Sequence, residues 1–284
     1  METALALGTF DGVHQGHRAV LRETSGYNGV AVTFRIPPKI ALSLQNALLM
    51  TPEDKFSALK ECGIKTVDVL DFDRVKDIEP REFLEDLKAK YGFSKVVCGF
   101  NYRFGKGAKG DTSLIEAFCK ENDIEFSCIE AVNFGGEVIS SSNIRKLVEK
   151  GDVKAANQFI FGGFGFTSTV ISGDRRGRMM GFPTINQEYP LSLCRVRYGV
   201  YKSEVIIEGA RYKAITNIGL RPTFKTSGIS CETHIFDFSK DLYGKSVTLK
   251  LVDFLRGEIK FRSIGQLKRQ IEQDVLSAKL NIRI

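Results

Sequence analysis

Two of the chain's three histidines, His14 and His17, lie three residues apart in the stretch Gly8-Thr-Phe-Asp-Gly-Val-His-Gln-Gly-His17. Two such side chains can brace a phosphate that gains charge during transfer. The apolar run Ala4-Leu-Ala-Leu7 just before them predicts a short buried strand over 5–10, ending in a glycine-bearing turn. Residues 16–25 read as the start of a helix, and histidines at i and i+3 share a helix face. Strand, glycine-rich turn and helix together aim backbone N–H groups and a positive helix end at phosphate. The same spacing suits a surface turn with two solvated imidazoles, and spacing alone leaves both readings open.

The elements that must position these residues follow from periodicity. Strand candidates lie at 30–34, 66–70, 95–98 and 125–129, separated by helical patterns. Thr51-Pro52 caps one helix, with Phe56 and Leu59 expected inward. Pro80 starts another, with Phe83, Leu84 and Leu87 as its apolar stripe, and Asp111-Thr112-Ser113 caps a third. Strands alternating with helices predict a parallel, doubly wound sheet, and ligands of such sheets bind beyond the carboxyl ends of the strands, where residues 8–17 fall. Ser142 is the expected cap of a helix carrying Ile144, Leu147 and Val148; Gly151 ends it, and Asp152 caps the next. Phe161-Gly-Gly-Phe-Gly165 marks a junction, giving domains over 1–158 and 159–284. Beyond it, 164–171, 198–207, 211–218, 231–238 and 246–254 are rich in Val, Ile, Thr, Tyr and Phe, predicting an antiparallel barrel. A closing helix carries Ile264, Leu267, Ile271, Val275 and Ala278 as a face that covers it.

Composition narrows the class. Hydrophobic residues make up 43% of 284, enough for real cores. No run approaches the ~18–20 apolar residues of a membrane span, and no basic region precedes the first apolar run, so neither a span nor a signal peptide is expected. Six cysteines form no Cys-x-x-Cys pair, which argues for free thiols in a reducing cytoplasm rather than a zinc or iron–sulfur site. The net charge of +7 suits anionic partners. Apart from Arg175-Arg176-Gly-Arg178 and Lys106 to Lys109 the basic residues are spread out, so small anions are expected as partners and polymeric nucleic acid is not. Gly105-Lys-Gly-Ala-Lys-Gly110 lacks the Gly-Lys-Ser/Thr of a P-loop.

Residues 8–17 resemble the His-x-Gly-His signature of nucleotidylyltransferases. Ser140-Ser-Ser-Asn-Ile-Arg145 resembles the segment that closes the same site, and Gly181-Phe-Pro-Thr-Ile-Asn186 resembles the Pro-Thr-x-Asn signature of riboflavin kinases. In this order, the three blocks resemble the bacterial bifunctional riboflavin kinase/FAD synthetases over nearly the whole chain. The resemblance implies an α/β Rossmann-like nucleotidylyltransferase domain followed by an antiparallel β-barrel riboflavin kinase domain with a C-terminal helix. It implies ATP and Mg²⁺ as cofactors and riboflavin, FMN and FAD as substrates and products. At the first site it gives His14, His17 and Arg145 catalytic roles and places Gly8, Thr9, Phe10, Ser140, Ser141 and Ser142 on the nucleotide. Gly99-Phe-Asn-Tyr-Arg-Phe-Gly105 resembles a flavin-side segment in which Asn101 replaces an acid, and Pro37-Pro38 stands where many relatives have His-Pro.

At the second site, Asp174-Arg-Arg-Gly-Arg178 and Gly181 resemble the loop over the nucleotide, which assigns Gly177, Arg178, Gly181 and Thr184 to ATP. Thr184 and Asn186 offer hard oxygen ligands suited to Mg²⁺ and share a face if the segment is extended. Cys231-Glu-Thr-His-Ile-Phe-Asp-Phe238 resembles the strand carrying the catalytic glutamate, which makes Glu232 the base and His234 a structural neighbour. Arg221 and Arg256 are the flavin contacts implied by Asn217 to Phe224 and Phe254 to Phe261. Gly162-Gly163 stands where relatives commonly have Gly-Arg. Two other readings stay open on sequence: a working kinase joined to a weak or differently specific first half, and a flavin-binding regulator that touches nucleic acid. Self-association is also open.

Overall fold

A computed structural model describes residues 1–43, 47–173, 176–220 and 228–280 of the chain. These divide into two compact units. One comprises Met1–Asn143 with Phe159–Phe161; the other comprises Ile144–Gln158 and the chain from Gly162 onward.

The first unit is built on five parallel strands: β1 (Thr3–Leu7), β2 (Asn28–Phe34), β3 (Thr66–Leu70), β4 (Lys95–Gly99) and β5 (Glu125–Ile129). Their order is β3-β2-β1-β4-β5. Ala4 to Leu7 are almost wholly buried, as a strand covered on both faces must be. The chain runs outward from β1 to β3, then crosses to β4, so the order reverses between β1 and β4, which is where sheets of this kind take their ligands. The helices are α1 (Gln15–Arg22), α2 (Pro38–Ser43), α3 (Pro52–Glu61), α4 (Phe72–Val75), α5 (Pro80–Tyr91) and α6 (Thr112–Glu121). Phe83, Leu84 and Leu87 of α5 join Ile115 and Phe118 of α6 in a core against Leu5, Leu7, Val30, Val32 and Val96. The caps expected at Thr51 and Asp111 are present: Thr51 Oγ1 accepts from the Asp54 N–H at 3.2 Å, and Asp111 Oδ1 from the Leu114 N–H at 3.1 Å.

Three local readings are corrected here. The first strand ends at Leu7, not Phe10, because Phe10 and Gly12 adopt left-handed φ of 50° and 83°. On α3 the inward face carries Lys55, Ala58 and Leu59, and Phe56 is only half-buried. A short hairpin, β6 (Asn133–Phe134) and β7 (Glu137–Val138), precedes α7 (Ser141–Lys150). The cap of α7 is Ser140, whose Oγ accepts from the Asn143 N–H at 3.3 Å, and not Ser142, since the helix starts two residues earlier than that cap required.

In the second unit α8 (Val153–Ala156), capped by Asp152 as expected, precedes a six-stranded sheet. Its strands are β8 (Gly165–Thr169), β9 (Ile185–Glu188), β10 (Gly199–Ile207), β11 (Ala210–Leu220), β12 (Ile229–Ile235) and β13 (Ser246–Arg256). The order is β8-β13-β10-β11-β12-β9, every pairing is antiparallel, and a bridge between Ile171 and Asn186 brings the two edges together into a barrel. A chain of hydroxyls, Ser203 to Thr216 to Thr233 at 2.7 and 2.9 Å, is buried within it. The sheet adds β9 to the five strands expected, and β12 stops at Ile235 because Asp237 turns with φ of 54°. Between β8 and β9 lies the four-residue helix α9 (Arg176–Met179).

The last helix, α10 (Ile264–Leu280), lays Ile271, Val275 and Ala278 against Val200, Ile215 and Phe236, while Ile264 of the expected stripe is exposed. Arg256 at the end of β13 anchors it: Nε and Nη2 both donate to the Asp274 carboxylate at 2.7–3.1 Å, and Nη1 donates to the Gly257 carbonyl at 3.0 Å. Both partners are largely buried, so Asp274→Ala leaves a desolvated cation unpaired, and urea unfolding is expected to show a loss of about 3 kcal/mol. A loss below about 0.5 kcal/mol would mean that the pair behaves as an exposed one.

Candidate functional sites

The turn after β1 is held from several sides. Gly8 N–H donates to Val32 O at 3.2 Å. The Thr9 carbonyl accepts from Thr33 Oγ1 at 3.1 Å and from Lys55 Nζ at 3.3 Å. Asp11 is buried, and its Oδ1 accepts from the Leu49 N–H at 2.9 Å. The Asp11 carbonyl accepts from Ser141 Oγ at 3.0 Å, so Ser141 touches this turn directly; Ser140 caps α7 beside it and Ser142 is exposed.

His14 is the N-cap of α1 and not a residue of its face, as the i and i+3 spacing had suggested. Its Nδ1 accepts from the His17 N–H at 3.4 Å, so in neutral His14 the proton sits on Nε2. The extended cap lets the two rings stack, with centroids 3.6 Å apart and planes 19° from parallel, and Phe10 meets His17 edge-on at 5.4 Å. His17 Nδ1 is buried with no hydrogen-bond partner. Burial first, then His14, then Lys55 holds its imidazole well below its usual pKa of 6.5. Folding therefore keeps His17 neutral where the unfolded chain protonates it. That favours the folded state above pH 6.5, and the benefit is lost as pH falls. Between pH 7.5 and 5.5 the wild type is expected to lose more stability than His17→Gln. Equal losses in urea titrations would assign that pH dependence elsewhere.

Asn101 lies exposed in the turn at the carboxyl end of β4, the strand beside β1. Arg145 follows Ser141 by one turn of α7, and i to i+4 residues share a helix face.

On the barrel, register produces a row that the sequence conceals. Glu232 on β12 stands opposite Asn186 on β9 and opposite Asn217 on β11, so all three project from the same face. Asn186 is buried and Glu232 half-buried. His234, two residues along, has its Nδ1 2.8 Å from the Pro183 carbonyl, and Phe182 meets its ring edge-on at 5.5 Å. A carbonyl only accepts, so Nδ1 carries the proton and His234 braces the segment leading into Thr184.

Glycine lets the backbone pack closely against these groups. A Cβ at Gly173 would sit 2.3 Å from Asn186 Nδ2, and one at Gly177 would sit 2.4 Å from the Phe182 carbonyl and 3.3 Å from Thr184 Oγ1. A hydroxyl at Thr184 and an amide oxygen at Asn186 are hard donors of the type that fits Mg²⁺. Gly181 turns with φ of 88°. Arg178 is on α9, with its side chain outside the description, and Asp174, Arg175 and Arg221 lie outside the described residues. The Arg256 guanidinium is engaged by Asp274 and Gly257, as above. Sequence reasoning singled out neither Lys55 nor Asn217. A lysine in the inward stripe of α3 was a readable signal for the first; the second needed the strand register.

A parallel sheet with a histidine-bearing turn at its switch point, followed by an antiparallel barrel, defines a two-domain protein whose first half is of nucleotidyltransferase type. The family model described as FAD synthetase matches residues 1–143, and that described as riboflavin kinase matches residues 163–282. Curated bifunctional riboflavin kinase/FMN adenylyltransferases are similar along nearly their full length. The Listeria monocytogenes protein is 31% identical over 95% of this chain and 89% of its own. The Bacillus subtilis protein is 32% identical over 96% and 90%, and that of Escherichia coli K12 is 32% identical over 97% and 91%. A crystal structure described as a macrolide-efflux protein from Streptococcus pneumoniae superposes with a TM-score of 0.88 at 28% identity, covering 99% of this chain and 95% of that one. Among the described residues no helix is long and apolar enough to cross a membrane. The chain belongs to the bifunctional riboflavin kinase/FMN adenylyltransferase family.

Proposed function

We propose that the chain phosphorylates riboflavin to FMN on the barrel and adenylylates FMN to FAD at the first unit, each time with ATP. The observation that carries the reading is the pairing of two separate constellations with the two matched families: the stacked His14–His17 pair in residues 1–143 and the Asn186–Glu232–Asn217 row in residues 163–282.

In the kinase step Glu232 takes the proton of the ribityl 5′-hydroxyl as that oxygen attacks the γ-phosphorus of ATP, and ADP leaves. Thr184 and Asn186 would hold Mg²⁺, which would supply neutralisation of phosphate charge. Gly177, Arg178 and Gly181 lie along the nucleotide, and Arg221 and Arg256 belong to the flavin side. Arg256 acts there through the position of β13, since its donors are committed to Asp274 and Gly257. In the adenylyl step a phosphate oxygen of FMN attacks the α-phosphorus, the bond to the β-phosphate oxygen breaks, and pyrophosphate leaves. No covalent enzyme intermediate is needed; alignment and charge stabilisation suffice. His14 donates through Nε2. His17, held neutral by burial, gains a proton-favouring neighbour when a phosphate anion binds. Gly8, Thr9, Phe10, Ser140, Ser141, Ser142 and Arg145 frame the nucleotide phosphates, and Asn101 the flavin side.

Six free thiols suit the reducing cytoplasm in which this pathway step would run. Supplying FMN with either ATP or CTP tests the nucleotide: ATP yields FAD, whereas a faster reaction with CTP, or none with either, would overturn the first-unit assignment.

A further inference from the structure

We propose that Lys55 is a positioning residue for adenylyl transfer, holding the turn after β1 in its phosphate-binding shape from beneath. The inference rests on the adenylyl-transfer reading of the first unit.

Lys55 occupies an interior position of α3 and is 2% exposed. A buried ammonium costs several kcal/mol unless its donors are used. Here Nζ donates to three backbone carbonyls: Thr9 in the turn after β1, and Phe34 and Arg35 at the end of β2. It therefore ties together the carboxyl ends of two neighbouring strands at the edge of the sheet where ligands bind. Burial pushes it down to about 8, with Asp11 opposing and Arg35 adding, so it is still mostly charged at neutral pH.

The orientation matters more than the tie. A trans peptide points its carbonyl and its following N–H in opposite directions. With the Thr9 carbonyl drawn toward Lys55 and Thr33, the Phe10 N–H is turned the opposite way, away from both donors. The turn beyond is strained: Phe10 has φ of 50° and Val13, a β-branched residue, has φ of 38°. Such conformations persist only where surrounding contacts over-determine them. Lys55, Thr33, Leu49 and Ser141 supply those contacts, and Lys55 is the one that brings charge. Its function is to present a backbone donor, and the His14–His17 pair that follows, to the phosphoryl group in transfer.

The test uses the full chain and measures FMN adenylylation with kcat and KM for ATP resolved, beside riboflavin phosphorylation and thermal unfolding. For Lys55→Met, kcat for adenylylation is expected to fall about 30- to 100-fold, as misplacement by roughly an ångström does, with KM for ATP within about threefold. Phosphorylation should be unchanged, and Lys55→Arg should recover a third or more of kcat. Three results would overturn the proposal: an unchanged kcat, a loss confined to KM, or a loss of rate matched by an equal loss of folded protein. A wild-type protein that makes no FAD would instead remove the adenylyl-transfer reading, and the proposal with it.

Discussion

His17→Ala is expected to lower FMN adenylylation about 10²- to 10³-fold while riboflavin phosphorylation continues at the wild-type rate. The size follows from what the side chain loses. His17 stacks on His14, takes an edge contact from Phe10 and keeps a buried, unpartnered Nδ1. That atom carries a cost of burial, and beside a phosphoryl group the ring is a fixed dipole that need not reorganise as charge develops. The truncation removes that ring and frees His14 to leave the stack, so the two effects act as a unit and are not additive. The assay separates FMN from FAD after supplying riboflavin and ATP: the variant should stop at FMN. FAD made at the normal rate would show that the histidine pair is not the adenylylation site.

The second large effect is expected at Glu232. Glu232→Gln preserves shape and the cross-strand partners Asn186 and Asn217 but removes the proton acceptor. Loss of a general base costs about 10²- to 10⁴-fold, so riboflavin phosphorylation should fall in that range while supplied FMN is adenylylated normally. Because the two reactions are assigned to different units, each variant serves as the folding control of the other. Unchanged kinase turnover in Glu232→Gln would remove this carboxylate as base.

Much of this architecture is legible in the chain because its signals are local. The strand over 66–70 and that over 125–129 coincide with β3 and β5, and Thr51, Asp111 and Asp152 cap the helices they precede. What escapes is whatever depends on distant partners. Strand β9, Ile-Asn-Gln-Glu, is short and polar, and is a strand only because β12 pairs with it and Ile171 bridges to it. Three consecutive serines each satisfy the cap pattern of α7; the turn's contact with Asp11 selects Ser140 as cap and sends Ser141 to the Asp11 carbonyl. Lys55 reads as a surface residue by type, yet three carbonyls, one in the turn after β1 and two at the end of β2 and just beyond it, make its burial tolerable. Motif recognition singled out His14, His17, Asn186 and Glu232 as candidates, whereas the Asn217–Glu232 alignment and the stacked imidazoles required the register and the cap geometry.

The central claim is that one chain carries two independent ATP-dependent transfers in series. The most direct measurement follows phosphorus from ATP labelled separately at the α and γ positions during incubation with riboflavin and Mg²⁺. The account predicts γ-label in FMN and FAD and α-label in FAD alone, with unlabelled pyrophosphate released in the α experiment. Label from the α position in FMN, or γ-label absent from both flavins, would contradict it.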